Sequence, residues 1–291
     1  MVEQILYRPS TIECPICHIN QKIEIPDYIY QQKHIGLIKV QVRPGTACPH
    51  EFIVYVDQLG KARDYEHADF QIQLTARTPN ERAASDQFSL EDLLETLGTF
   101  ATLRVFHAFI FNYKILVLIV PTDDPKFVDN LNDLFTRSFP AHMKPERLAD
   151  KTRLSEFAML DMEESKTLIL DTKGVIVDSP WGDQKDFDFE TELIKKALEF
   201  NDLNAQLLFI QQRVGLFKKE TEDVIALLEK VGQMIYDDDL RDKLAKLFHR
   251  KLTDHLVTHY IHFIKQRYPE SEPLLRKIHN RSVESLKEGI W

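Results

Sequence analysis

The chain has 291 residues, with 37 Lys plus Arg against 46 Asp plus Glu and three cysteines; at roughly 150 residues per domain, that length predicts about two domains. With 43% hydrophobic and 29% charged residues, the composition excludes a wholly disordered chain, a collagen-like repeat and a disulfide-dense scaffold. A formal charge of −9 with no strongly basic stretch disfavours nucleic acid as a partner, because phosphate binding needs several Lys or Arg acting together. The most apolar run, Ile115 to Val120, is far short of the about 20 residues of a spanning helix, so no membrane span is expected. The N-terminus lacks the basic-then-apolar pattern of a secretory signal. Three cysteines without an export signal predict a reducing, cytoplasmic setting.

All three cysteines fall in the first 48 residues, as Cys14-Pro15-Ile16-Cys17-His18 and Ala47-Cys48-Pro49-His50. A CxxC turn directs two thiolates at one ion, and a second turn with Cys48 and His50 supplies the rest of a tetrahedral set. Lys22 to Ile25 and Ile35 to Val42 read as strands, Pro44-Gly45 precedes the second turn, and Glu51 to Asp57 is again strand-like. Two knuckles separated by a hairpin resemble a zinc ribbon, on Cys14, Cys17, Cys48 and His50 and over roughly the first fifth of the chain. The second knuckle is Cys48-x-His50 where ribbons usually carry CxxC, and His18 is an alternative fourth ligand. Four protein ligands leave no open position, so zinc here would be structural, and the segment would depend on it to fold. Two other readings stand beside it: three free buried thiols, and a redox CxxC, which lacks a following helix to lower its thiol pKa.

Residues 75–88 lack apolar periodicity and read as a linker or long surface loop. Ser89 caps a helix that begins Leu90-Glu91-Asp92 and ends near Gly98. Ala101 to Phe111 and Tyr113 to Val120 read as paired strands joined at Asn112. Asp124-Pro125 opens a further helix carrying Phe127, Leu131, Leu134 and Phe135, with Pro140 beyond its end. A hairpin follows at Thr167 to Asp178, and its Asp171-Thr-Lys-Gly174 turn matches Asp57-Gln-Leu-Gly60, which is turn chemistry. This order of helix, two strands, helix and further strands resembles the roadblock and longin scaffolds, a likeness that implies a regulatory role with small GTPases. Asp183, Asp186, Asp188, Glu190 and Glu192 could bind a divalent cation, but acids at a helix start complement its dipole, so Asp186 or Asp188 is expected to cap a helix through Leu193, Ile194, Ala197 and Leu198.

From Leu207 the positions Leu207, Ile210, Val214, Phe217, Thr221, Val224, Leu228, Val231 and Ile235 alternate by three and four, the period of bundle packing. The Asp237 to Asp239 turn then starts a second helix, Leu240 to about Tyr268, ended by Pro269, and a last helix begins near Ser271 and Pro273. On the second helix His255, His259 and His262 share a face with Leu244, Phe248 and Leu252. Three roles are open for them: structural bundle histidines, a pH-sensitive interface, or a metal site with Glu220.

The expected class is α+β: a zinc-ribbon-like β module over residues 1–74, the linker at 75–88, an α/β domain over 89–186 and a helical bundle over 187–291. No P-loop, GxGxxG, HExxH or GxSxG motif occurs, so no catalytic residue is assigned. The expected function is a zinc-stabilised adaptor or regulator that binds proteins, small GTPases among them, with self-association through the C-terminal helices. Two alternatives are a nucleic-acid-associated ribbon using Arg8, Lys22, Lys33, Lys39 and Arg43, and a metal-dependent enzyme using the histidine face.

Overall fold

The computed structural model describes residues 6–32, 36–67, 87–120, 123–140, 149–153, 167–181, 187–232 and 234–279. The class is α+β. Strands β1 (Tyr7–Glu13) and β2 (Asn20–Pro26) form an antiparallel hairpin, followed by the short helix α1 (Asp27–Gln32). Then β3 (Ile38–Val42), β4 (Phe52–Val56) and β5 (Ala62–His67) make an antiparallel meander. Period-2 alternation turns Ile12, Ile23, Ile25, Ile38, Val40 and Val42 inward on one N-terminal core.

Ser89 caps helix α2 with a reciprocal box: its hydroxyl accepts from Asp92 N while the Asp92 carboxylate accepts from Ser89 N. This helix, Leu90–Phe111, is bent at Gly98 (φ 76°, ψ 170°) and then continues through 101–111, where strand was expected. The reason is that 101–111 is buried on all sides, and a helix with no polar face loses the amphipathic period that separates helix from strand. Asn112, at φ 60°, ends it in the left-handed region. Long and apolar enough to cross a membrane, α2 has 78% of its most apolar window buried inside the fold.

Strand β6 (Lys114–Ile119) therefore has no hairpin partner before it. It pairs in parallel with β7 (Asp150–Arg153) on one side, across helix α3 (Phe127–Ser138), and with β8 (Thr167–Asp171) on the other. β9 (Ile176–Asp178) returns antiparallel to β8, completing the expected hairpin and a sheet ordered β7-β6-β8-β9. Ile115, Val117, Leu168 and Leu170 face the helical core, while Leu116, Leu118 and Ile169 face the N-terminal core. A strand covered on both faces reads as a continuous apolar run, as Ile115 to Val120 does. Of the expected linker, 75–86 lies outside the described residues.

Helix α4 (Asp188–Ala197) starts at Phe187, which makes no side-chain cap; Asp188 sits in the first turn instead, and Asp183 and Asp186 lie outside the described residues. Helix α5 (Leu203–Val231) carries the expected seam, with Leu207, Ile210, Val214, Phe217, Thr221, Val224 and Leu228 buried. Those side chains enter the same core as residues of α2, β6, β8 and α3, so this core runs across residues 90–264. The expected second long helix is two, α6 (Asp237–Leu247) and α7 (Asp254–Arg267), separated by a turn in which His249 adopts φ 51°. Thr253 caps α7, its hydroxyl accepting from Leu256 N. Among the described residues after Tyr268, a 3-10 turn (Pro269–Ser271) and the one-turn helix α8 (Glu272–Leu275) stand where the last helix was expected to begin, and β11 (Ile278–His279) pairs in parallel with β10 (Ile235–Tyr236); the rest of that expected helix, beyond 279, lies outside the described residues.

Candidate metal centre

The two knuckles are the turns of two hairpins. Cys14 to Ile19 closes β1 on β2, with His18 N donating to Cys14 O and Cys14 N to Ile19 O, both at 2.9 Å. Pro44 to His50 joins β3 to β4, where Gly45 at φ 86° allows its N–H to reach Cys48 O at 2.7 Å. The pairing of each hairpin therefore fixes where its ligands point.

One ligand atom from each of Cys14, Cys17, Cys48 and His50 lies within 4.8 Å of the others, an arrangement that can hold a metal ion. His50 Nδ1 is 3.7 Å from Cys14 Sγ and 3.6 Å from Cys48 Sγ. Zinc bonds of about 2.3 Å to sulfur and about 2.1 Å to nitrogen, at the tetrahedral angle, put those atoms about 3.6 Å apart. The N–H groups of Ile16 and Cys17 donate to Cys14 Sγ at 3.4 and 3.5 Å. Burial acts to raise the Cys14 thiol, but the Cys17 and Ile16 amides and the neighbouring thiols outweigh it and bring it down to about 6. At Cys48 burial prevails and pushes the thiol up to about 11. His18 turns away from the sulfurs: it is exposed, at φ 59°, and its Nδ1 meets Glu13 Oε1 at 3.0 Å.

The other expected sites are rearranged. His255, His259 and His262 do not act as one face: His255 is exposed, His259 is buried, and His262 Nε2 meets Tyr113 Oη at 2.7 Å. Glu220, the expected carboxylate, instead accepts from Arg250 at 2.8 Å and from the Tyr260 hydroxyl at 2.6 Å. Of the acids at 183–192, Glu190 turns inward to His107, with Nδ1 at 2.7 Å from Oε1. Sequence reading missed His107 and the inward Glu190. The pattern did hold one sign of the latter, because Glu190 lies at helical spacing from the apolar Leu193, Ile194 and Ala197.

Two of the five candidate phosphate-binding cations are engaged in ion pairs. Arg8 pairs with Asp27 and lies over the Tyr30 ring, and Lys39 pairs with Glu66 at 3.3 Å and lies over Tyr55. Arg43 is half-buried, and that burial lowers its pKa; Lys22 is exposed, and Lys33 lies outside the described residues. No known family model, curated protein or solved structure matches the chain.

Proposed function

We propose that this chain is a zinc-stabilised, non-enzymatic adaptor that binds another protein through its N-terminal module. The observation that supports it most is the convergence of Cys14, Cys17, Cys48 and His50, because four protein ligands complete a tetrahedral ion and leave no position for a substrate. The same module carries exposed large apolar side chains: Leu6, Tyr7, Ile16, Ile19, Leu37 and Leu59. Leu59 is 89% exposed, and its turn is held beside the start of β1 by Arg8, whose Nη1 donates to Gln58 O at 3.4 Å. Exposed apolar groups of this kind suit a protein partner. A reducing, cytoplasmic setting suits thiol ligands. The likeness to roadblock and longin scaffolds rested on a strand at 101–111 that is a helix, so the partner is proposed as a protein of unspecified class.

Elemental analysis of protein purified without chelator tests the metal: at least one equivalent of zinc is expected, of which one is lost in Cys17→Ser, and less than half an equivalent overturns the reading. For the adaptor role, affinity capture with wild-type protein and with Leu59→Asp is the comparison. A partner held by the wild type and lost from both Leu59→Asp and chelated protein supports the reading; identical capture by all three opposes it.

A further inference from the structure

Three side chains remote in sequence meet inside the helical core. His107 comes from the buried half of α2, Glu190 from the first turn of α4 and His259 from the middle of α7. All three are buried, Glu190 completely so. One coordinating atom from each lies within 4.8 Å of the other two. His107 Nδ1 is 2.7 Å from one Glu190 oxygen, and His259 Nε2 is 3.8 Å from the other. Phe111, Trp181 and Phe187 pack around His107, with Tyr113 and His262 beside them. Among the described residues its ion pairs are with these two imidazoles.

The tautomer of His259 is fixed by its surroundings. Its Nδ1 is 3.1 Å from the carbonyl oxygen of His255, and a carbonyl only accepts, so Nδ1 carries a proton. Nε2 is then the nitrogen aimed at Glu190. A separation of 3.8 Å is too long for a hydrogen bond, and the charge that balances the carboxylate on this side is either a second proton, on Nε2, or a metal cation between the two. A backbone carbonyl that accepts from the other ring nitrogen and sets the tautomer is one way in which proteins orient imidazole toward a metal.

We infer that His107, Glu190 and His259 form a second metal site, for a divalent first-row transition ion. Two imidazoles and a carboxylate suit that class of ion. Ligand bonds of about 2.1 Å at the tetrahedral angle span about 3.4 Å, between the separations of the two imidazoles from the two oxygens of the Glu190 carboxylate. Without a metal, a proton between His107 and Glu190 takes the place of the cation. Three protein ligands leave a coordination position open. His259 also lines a cavity of about 300 Å³ whose walls include Asp188, Arg213, Phe217 and His255, so that cavity lies on the far side of His259 from the buried Glu190 and His107. The site differs in kind from the thiolate centre, which its own ligands fill.

The test is reconstitution of the full, metal-stripped chain with Co²⁺, reading bound equivalents by elemental analysis and the ligands by absorption. Wild-type protein is expected to bind two equivalents, one with thiolate-to-metal charge transfer and one without. Glu190→Gln and His259→Gln are each expected to fall to one, keeping the charge-transfer band. Circular dichroism confirms that each variant is folded; His259→Gln, at the cavity wall, carries the comparison if Glu190→Gln does not fold. A single equivalent in the wild type, or a second equivalent retained in a folded His259→Gln, overturns the site and leaves a proton-held ion pair. The charge-transfer band reports the cysteine centre separately, so either site can fail without the other.

Discussion

Asp57 and Asp171 perform the same turn chemistry in opposite surroundings. Each carboxylate accepts from the N–H groups two and four residues on, at 2.9 Å for Leu59 and Lys61 and at 2.8 Å for Lys173 and Val175. The Lys61 amide and then Arg63 and Leu59 outweigh desolvation and lower the Asp57 pKa, whereas burial raises that of Asp171 despite its hydrogen bonds. The signs of linkage differ accordingly. Asp57 contributes stability that is present above its ordinary value of about 4 and is lost as the pH falls through the lower folded value. Asp171 holds its proton better folded than unfolded, so its ionisation costs stability as the pH rises from about 4 through the raised value. Urea denaturation across pH should therefore show the wild type gaining on Asp57→Asn with rising pH and losing ground to Asp171→Asn; parallel profiles would sink the assignment. The paired glycines separate in the same way. Both have φ near 78°, but a Cβ on Gly60 meets nothing closer than Tyr30 Oη at 3.5 Å, while one on Gly174 falls 2.1 Å from the Leu97 carbonyl oxygen. Gly60→Ala should cost about 1–2 kcal/mol of left-handed strain. Gly174→Ala adds a backbone collision worth roughly 1–3 kcal/mol more, and equal losses in the two variants would show that the Leu97 approach is soft.

At the scale of elements, α2 is held at its bend by a residue from the other module. After Gly98 the helix restarts at Thr99, whose N–H donates to Glu51 Oε1 at 3.1 Å, and Gln41 Nε2 donates to the same oxygen at 2.5 Å. Glu51 thus acts as a long-range cap for the second half of α2. Glu51→Ala should cost about 1–2 kcal/mol, and Glu51→Gln should recover most of it because the amide oxygen still accepts. Chemical denaturation checks this, and an Ala variant as stable as the wild type would mean that Thr99 N finds another acceptor. This cap was not legible in the sequence, since residues 51 and 99 share no local pattern. The same holds for the meeting of His107, Glu190 and His259. What was legible was local: the two cysteine-bearing turns, the Ser89 box, the helix after Pro125, the Asp171 hairpin and the α5 seam each depend on residues near in sequence. Ala101 to Phe111 misled because complete burial removes the contrast that periodicity needs. The break between α6 and α7 was hidden because Leu240, Leu244 and Leu252 keep an apolar spacing through it.

Across the whole molecule, the β7-β6-β8-β9 sheet is a shared wall. Leu116, Leu118 and Ile169 are nearly or wholly buried against the N-terminal core, while their neighbours along β6 and β8 enter the helical core. The cluster of Cys14, Cys17, Cys48 and His50 lies in the N-terminal module, and Cys14 and Cys48 belong to the same apolar cluster as those three side chains. If a metal holds the two knuckles together, removing it loosens that cluster and bares one face of the sheet. Burial of an aliphatic side chain is worth about 1.5–3 kcal/mol, so uncovering even one or two of the three weakens the helical core as well. Chelation should then lower the main far-ultraviolet melting transition, which the helices dominate, by roughly 5–10 °C for a loss of about 3 kcal/mol, instead of producing a separate early transition with the main one unmoved. Ile169→Ala, which truncates the shared wall on the N-terminal side, should cost about 2–4 kcal/mol in the metal-loaded protein. Its effect and that of the chelator pass through the same interface, so together they should fall short of their sum. Strict additivity, or a helical transition indifferent to chelator, would mean that the two cores fold independently on either side of the sheet.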